Sequence, residues 1–333
     1  MSFQAEKALV LDHYDALSRA TPETVAEILS ERTAPDWLWR GVRPFESRCG
    51  ARDVAETLWQ PLLTAMPRLQ RRPDIFFAGH SDRATGGVWV VQMGHLMGLL
   101  DQPFLTIPAS RKIAMLRYAE FNRVENGRIT ETAFFCDLLH LARQAGLNPL
   151  PQQTAQHLVQ PGPLTHDGLL YRDADPAEGR ETLDLIERMI GDINTRARFE
   201  TPEQELAQTW HDDMIWWGPE GIGATYTIPR YIEQHQRPFR THLSDRVFNG
   251  HVARLAEGSY GGFFGWPNLS LTNSGAFMGV PGDGVTRADM RVVDIYRRAG
   301  DRLAENWIFI DMPHFLAMQG VDVLGLDALV PTV

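Results

Sequence analysis

Cysteine is scarce in this chain: Cys49 and Cys136 are the only two in 333 residues, and both lie in the first half. That excludes a disulfide framework and fits a reducing, cytoplasmic setting, where each is expected to be a small buried hydrophobe. No apolar run nears the ~18 residues of a membrane span. The opening MSFQAEKALVLDHY carries acidic residues where a leader would be cationic, so no secretory signal and no membrane partner are expected. Basic charge is also short. Lys and Arg total 32 against 42 Asp and Glu, a net charge of −10 with no Lys/Arg-rich stretch, which argues against a nucleic-acid partner. His235, His242 and His251 lack metal-ligand spacing, and the glycines follow no phosphate-loop pattern, so neither metal nor cofactor is expected.

What the chain has is a repeat. The segment from Arg117 to Gly146 returns from Arg291 to Gly320, with Arg117, Glu120, Arg123, Glu131, Asp137 and His140 falling on Arg291, Asp294, Arg297, Glu305, Asp311 and His314. Thr21-Pro22-Glu23 recurs as Thr201-Pro202-Glu203, and Asp36-Trp37-Leu38-Trp39 as Asp213-Met214-Ile215-Trp216. A period this long marks a duplicated domain rather than a solenoid unit. The boundaries read as a first domain over 1–147, a Pro-rich linker over 148–178 and a second domain over 179–333.

Each domain reads as helices first and strands afterwards. Apolar spacing predicts a helix over Gln4 to Arg19, a second opened by Thr21-Pro22-Glu23, and a third near Asp53 to Met66. Strands follow at Ile75–Gly79, Gly87–Met93, Lys112–Val124 and Arg128–Leu138, the last two joined by a tight Asn126-Gly127 turn. The second domain repeats the plan, with Val247–Leu255 read as one strand. The fold class is therefore α+β, with about three N-terminal helices covering a curved, mostly antiparallel sheet in each half.

The hairpin supplies a register. With facing positions counted from the Asn126-Gly127 tip, Glu120 lies opposite Ala133 and, in the second copy, Asp294 lies opposite Trp307. Asp294, Tyr296, Glu305, Trp307, Phe309 and Asp311 are then expected on one face, carboxylates among aromatics, as a cavity with shifted pKa values requires. Glu131 and Glu305, near the hairpin tips, are expected in water. Asp137 and Asp311 each close an apolar strand and precede an apolar helix, so each is either an N-cap or a cavity-facing acid. His140 and His314 follow three residues on. Trp216, Trp217, Tyr226, His242, His251, Trp307 and Phe309 are the candidate ligand-contacting residues.

The run from Asp294 through Trp307 and Asp311 to Gly320, with the glycine-rich Ser274–Pro281, resembles the SnoaL-like polyketide cyclases of the nuclear-transport-factor-2-like superfamily. The likeness covers most of the second domain and is weaker in the first, where Ala133 replaces the Trp. It implies two tandem cone-shaped domains, each with a pocket between helices and sheet. It also implies acid/base chemistry on a small or medium apolar carbonyl compound without metal or cofactor, the acid/base role falling on Asp311 and secondarily on Asp137; Asp294 and His314 are further catalytic candidates from their places on the strand and after it. Two alternatives stay open, a non-catalytic binding or assembly module and a water-activating hydrolase. The expected partners are a small-molecule ligand and, within the chain, the other half as a pseudo-dimer, with further self-association left open.

Overall fold

The computed structural model describes residues 2–83, 86–151 and 154–329. Its first half contains strands β1 (Thr33–Gly41), β2 (Glu46–Cys49), β3 (Gln70–His80), β4 (Val88–Leu99), β5 (Ile113–Glu125) and β6 (Arg128–Cys136), in the spatial order β2-β1-β6-β5-β4-β3. The second half contains β7 (Trp210–Trp217), β8 (Ala224–Tyr226), β9 (Leu243–Phe248), β10 (Ala253–Glu257), β11 (Tyr260–Asn273), a small hairpin of β12 (Ala276–Phe277) and β13 (Val280–Pro281), then β14 (Arg287–Ala299) and β15 (Arg302–Ile310). Its main order is β10-β11-β14-β15-β7-β8, with β9 also on β11. In each sheet one pair is parallel, β1 with β6 and β7 with β15, and the other pairs are antiparallel. These are two tandem α+β domains of one plan.

Helices pack on the inner face of each sheet. Gln4–Ser18, Val25–Arg32 and a helix over 51–65 serve the first; Pro176–Asn194, Pro202–Leu206 and a helix over 228–242 serve the second. The third helix of each half contains a wide π turn at the same repeat position, Ala55–Trp59 and Ile232–Gln236, a local widening that re-aims side chains and often marks a functional site. Thr201 caps its helix from the side chain, accepting from the Gln204 amide, as the Thr-Pro-Glu signature requires. The first copy departs: Thr21–Thr24 form a turn and the helix begins at Val25. Val247–Leu255 is two strands rather than one, broken at Asn249-Gly250, where Gly250 takes φ +102°. The first helix of the second half begins at Pro176, inside the segment read as linker, and is capped by Asp175. Cys136 is buried, but Cys49 is exposed.

The outward faces of the two sheets meet. Phe264 of β11 sits edge-on against Trp89 and Phe121, ring centroids 5.5 and 5.2 Å apart, and Trp266 meets Phe135 at 5.5 Å. The first-half core runs without a break into Trp217, Val293, Ile295, Trp307 and Phe309, while the inner core of the second half is a separate cluster. Charged groups inside this seam are hydrogen-bonded. Lys7 donates to Glu257 at 2.6 Å, and the other oxygen of that carboxylate accepts from the Ala78 amide at 2.7 Å. Arg117, wholly buried, lies 3.9 Å over the Phe309 ring and donates to the carbonyls of Ile308 and Trp217. Burial lowers its guanidinium to a pKa of about 9.

Candidate functional site in the second half

A register slip decides which carboxylates reach the interior. Beside the β5–β6 turn Val124 faces Ile129, but the next pair is Arg123 with Glu131, so Thr130 is an extra residue. The β14–β15 pair repeats this: Arg298 faces Leu303 and Arg297 faces Glu305, leaving Ala304 unpaired. One inserted residue sends every later side chain of the strand to the opposite face. Asp294 therefore faces Ile308, and Tyr296 faces Asn306, while Trp307 and Phe309 turn into the seam. The expected shared face of Asp294 with Trp307, Phe309 and Asp311 is corrected on this ground.

The cavity lies between the inner face of β14, β15, β11 and β7 and the helices Pro176–Asn194 and 228–242. Its volume of about 180 Å³ is more than ten times the roughly 10–15 Å³ that one water needs. Most of its wall is apolar and aromatic, including Ile193, Phe239, Phe263 and Ile308. Asp294 stands in that wall, 8% exposed. The Asn306 side-chain amide donates to its Oδ1 at 3.1 Å and to the Ile295 carbonyl at 3.1 Å, so the carboxyl is held in one orientation. Burial pushes the acid up to a pKa of about 7, against the smaller downward pull of Asn306 and Tyr296. Among the described residues no cation offsets this burial, whereas the other buried carboxylates each have one nearby.

The helical side of the cavity is equally specific. From the π turn, His235 stacks on Trp216 at 3.9 Å between ring centroids, with Tyr231 5.2 Å away. Burial lowers His235 to a pKa of about 3, so the imidazole is neutral. Tyr231 is raised by burial and by the charge of Asp294, so its phenol stays protonated. Across the cavity His251 stacks on Phe263 at 3.8 Å and is also held neutral, burial lowering it to about 3.

Of the residues the sequence singled out, Asp294, Tyr296, Trp216 and His251 line this cavity. The others lie elsewhere. Asp311 is 1% exposed and caps the last helix through the His314 amide; its second oxygen accepts from the Arg43 amide of the first half at 3.0 Å and from Arg291 at 3.2 Å. Asp137 does the same in mirror fashion, accepting from the His140 amide and from the Glu220 amide of the second half, both at 2.9 Å. Arg43 and Glu220 are themselves repeat equivalents, in step with Trp39 and Trp216. The repeated Asp is thus a double acceptor that caps its own helix and ties it to the other half. His314 sits beside Glu46 at the same seam, its Nδ1 4.0 Å from the carboxylate.

Trp217 and Trp307 are in the interdomain core, the Trp307 indole donating to the Pro161 carbonyl. Tyr226 is exposed, and His242 accepts from the Ala276 amide at the β12–β13 hairpin. Glu131 and Glu305, expected in water, are buried in pairs with Arg40 and Arg297. Asn306, Tyr231, His235 and Phe239 were missed. The spacing of Tyr231, His235 and Phe239 along one helix face was a usable signal, whereas Asn306 was hidden by the register. Replacing Asp311 by Ala removes a cap and leaves the Arg43 amide unpaired, an expected loss of roughly 2–3 kcal/mol in urea unfolding with ligand binding in the cavity intact. A variant of unchanged stability would show that the seam bond contributes nothing.

In the first half the matching interior is occupied. Glu120, the equivalent of Asp294, is paired with Arg71 at 2.8 Å. The Arg71 guanidinium lies 4.0 and 4.8 Å from the ring centroids of Tyr14 and Tyr118. Arg71 faces Leu96, which faces Leu116; Phe248 faces Leu269, which faces Met290, the repeat equivalent of Leu116. An arginine thus fills the first interior from the sheet position that Phe248 holds at the second.

No family model and no curated protein matches the sequence. Among solved structures, a protein assigned to the SnoaL-like polyketide cyclases from Jannaschia sp. CCS1 aligns with 45% of this chain and 96% of its own, at 20% identity and a TM-score of 0.36. An NTF2-like protein from Burkholderia thailandensis E264 aligns with 43% of this chain and 97% of its own, at 22% identity and a TM-score of 0.33. IdmH from Streptomyces antibioticus, described as a polyketide cyclase, aligns with 41% and 97%, at 19% and 0.33. Each spans less than half of this chain. The helices-then-sheet plan of each half rests on the strand order and register above, not on these scores. Among the described residues no helix is long and apolar enough to cross a membrane.

Proposed function

We propose that the second half is a SnoaL-like acid/base enzyme acting on an apolar carbonyl compound, with Asp294 as the proton acceptor. The observation that carries this reading is a buried carboxyl, titrating near neutrality without a counter-charge, in the wall of an aromatic cavity. In such a place the carboxylate is poorly solvated and basic enough to remove a proton from carbon beside a carbonyl. The C–H pair moves into the enolate, and the proton resides on Asp294 until it returns to another atom of the same substrate. Return at a different carbon is isomerisation; attack of the enolate on a second carbonyl is ring closure. The Tyr231 hydroxyl is available to donate to the enolate oxygen. Asn306, both of whose hydrogens are engaged, positions the acid.

The first half, with its interior filled by Arg71, is the scaffold in this reading. Its outer sheet face supplies the partner surface that the second half needs, so the two form an intramolecular pseudo-dimer. Against the hydrolase alternative, Arg291 pairs with Asp311 in the seam, and neither lines the cavity.

The test is deuterium incorporation at carbon from D2O into a panel of cyclic and aromatic ketones, followed by mass spectrometry. Exchange on at least one member is expected. Its rate should climb as pH rises through about 7 and level off above, because only the ionised acid accepts a proton. Ligand retention in the cavity without exchange on any member would make the domain a binding module instead.

A further inference from the structure

The cavity has a cation at its outer end that the proton-transfer reading does not use. Arg246 of β9 lines the cavity together with Phe248, two residues along on the same strand side, and both are exposed. The other cationic side chain of the lining, Arg240, is committed to the buried carboxylate of Glu205. Among the described residues Arg246 has no ion pair and no side-chain hydrogen bond, although its neighbour Asp245 bonds Ser244. The chain as a whole carries a net charge of −10. An unpaired guanidinium beside an exposed Phe at the cavity mouth therefore stands out against a field that repels anions.

We propose that the ligand of this cavity is amphiphilic, an apolar body ending in a carboxylate or similar anion that Arg246 binds at the mouth. This rests on the cavity being the ligand site of the proposed function and names the class of molecule that fits it. The planar fork of an arginine takes a carboxylate through two parallel N–H donors, which fixes the tail and hence the depth of the body. The apolar segment then runs between Phe248, Leu269 and Phe263 on the sheet side and Ile190 and Ile193 on the helix side. Its inner end meets Asp294. A ligand held in the opposite sense would place its anion against Asp294 and leave Arg246 unpaired, so the charges also set direction.

The probes are decanoate and decan-1-ol, identical in chain length and different in charge, each displacing the neutral fluorophore N-phenyl-1-naphthylamine. At about pH 6 the ligand carboxylate is ionised while Asp294 is largely protonated. Decanoate should bind about five- to tenfold more tightly than decanol at low salt, an advantage that shrinks at high salt. In Arg246→Gln the advantage should vanish while the affinity for decanol stays as it was. Equal affinities in the wild-type protein, or an advantage that survives in Arg246→Gln, would overturn the inference and leave the Asp294 chemistry standing. If neither probe displaces the fluorophore, the inference also falls, and the exchange experiment alone decides the Asp294 chemistry.

Discussion

Asp294→Asn is expected to be both inactive and more stable than the wild-type protein at alkaline pH. The loss of exchange should be about 10²- to 10⁴-fold, the range for removal of a positioned acid/base. The stability change follows from linkage. In the folded chain the acid titrates at about 7, whereas in the unfolded chain it titrates near its ordinary value of about 3.9. The folded state therefore binds this proton more tightly. Its contribution is fully present below about pH 4 and is lost as pH rises towards about 7. Above that, the buried charge costs up to about 4 kcal/mol, at 1.36 kcal/mol for each pKa unit. Asn is isosteric, accepts the same bond from Asn306 and carries no charge. Urea unfolding of the two proteins should coincide near pH 4 and separate as pH rises to about 8, with the Asn variant ahead. A variant that is inactive and less stable at every pH would make Asp294 a structural residue, and the proposed function would fail with it.

That prediction depends on a pair, Asp294 and Asn306, of which the sequence singled out the acid and missed the amide. The two-copy plan, the helices-then-strands order and the tight hairpin turns were legible, because turn chemistry and apolar spacing are local. The Thr130 and Ala304 bulges were not. Each inserts one residue just beyond the turn, and nothing in the identity of Thr or Ala marks it as the extra one. Asp294 stayed a candidate because its face was read from β14, which the bulge leaves alone. Trp307, Phe309 and Asp311 were misplaced because they lie beyond the bulge on β15. Asp137 and Asp311 show a second limit. Their recurrence was plain, yet it reflects a symmetric tie between the halves, and residues 43 and 220 that complete it are far away in sequence. A carboxylate kept in both copies is not thereby catalytic when an arginine fills the interior of one of them.

The second large effect belongs to that filled interior. Arg71→Met should destabilise the chain by about 3–5 kcal/mol, since it leaves Glu120, 4% exposed, buried without its counter-charge. The same substitution gives up the stacking of the guanidinium on Tyr14 and Tyr118 and its bond to Gln92 at 3.2 Å. Pairing it with Glu120→Leu should restore most of the loss, because replacing both partners by apolar groups removes the stranded charge rather than exposing it. The measurement is the urea midpoint of the two variants, with exchange per folded molecule recorded alongside. If the double variant is as unstable as the single one, packing by Arg71 and not charge pairing holds this interior together. Exchange should be unchanged in both, as Arg71 and Glu120 lie in the half opposite Asp294. Loss of exchange with the fold intact would mean that the first half does more than support the second. The duplication would then have kept a coupling between interiors that the sealed first half otherwise argues against. The arginine occupying the position of Phe248 is what makes the two copies unequal: one interior is closed by a cation on its acid, and the other leaves its acid unpaired and open to a ligand.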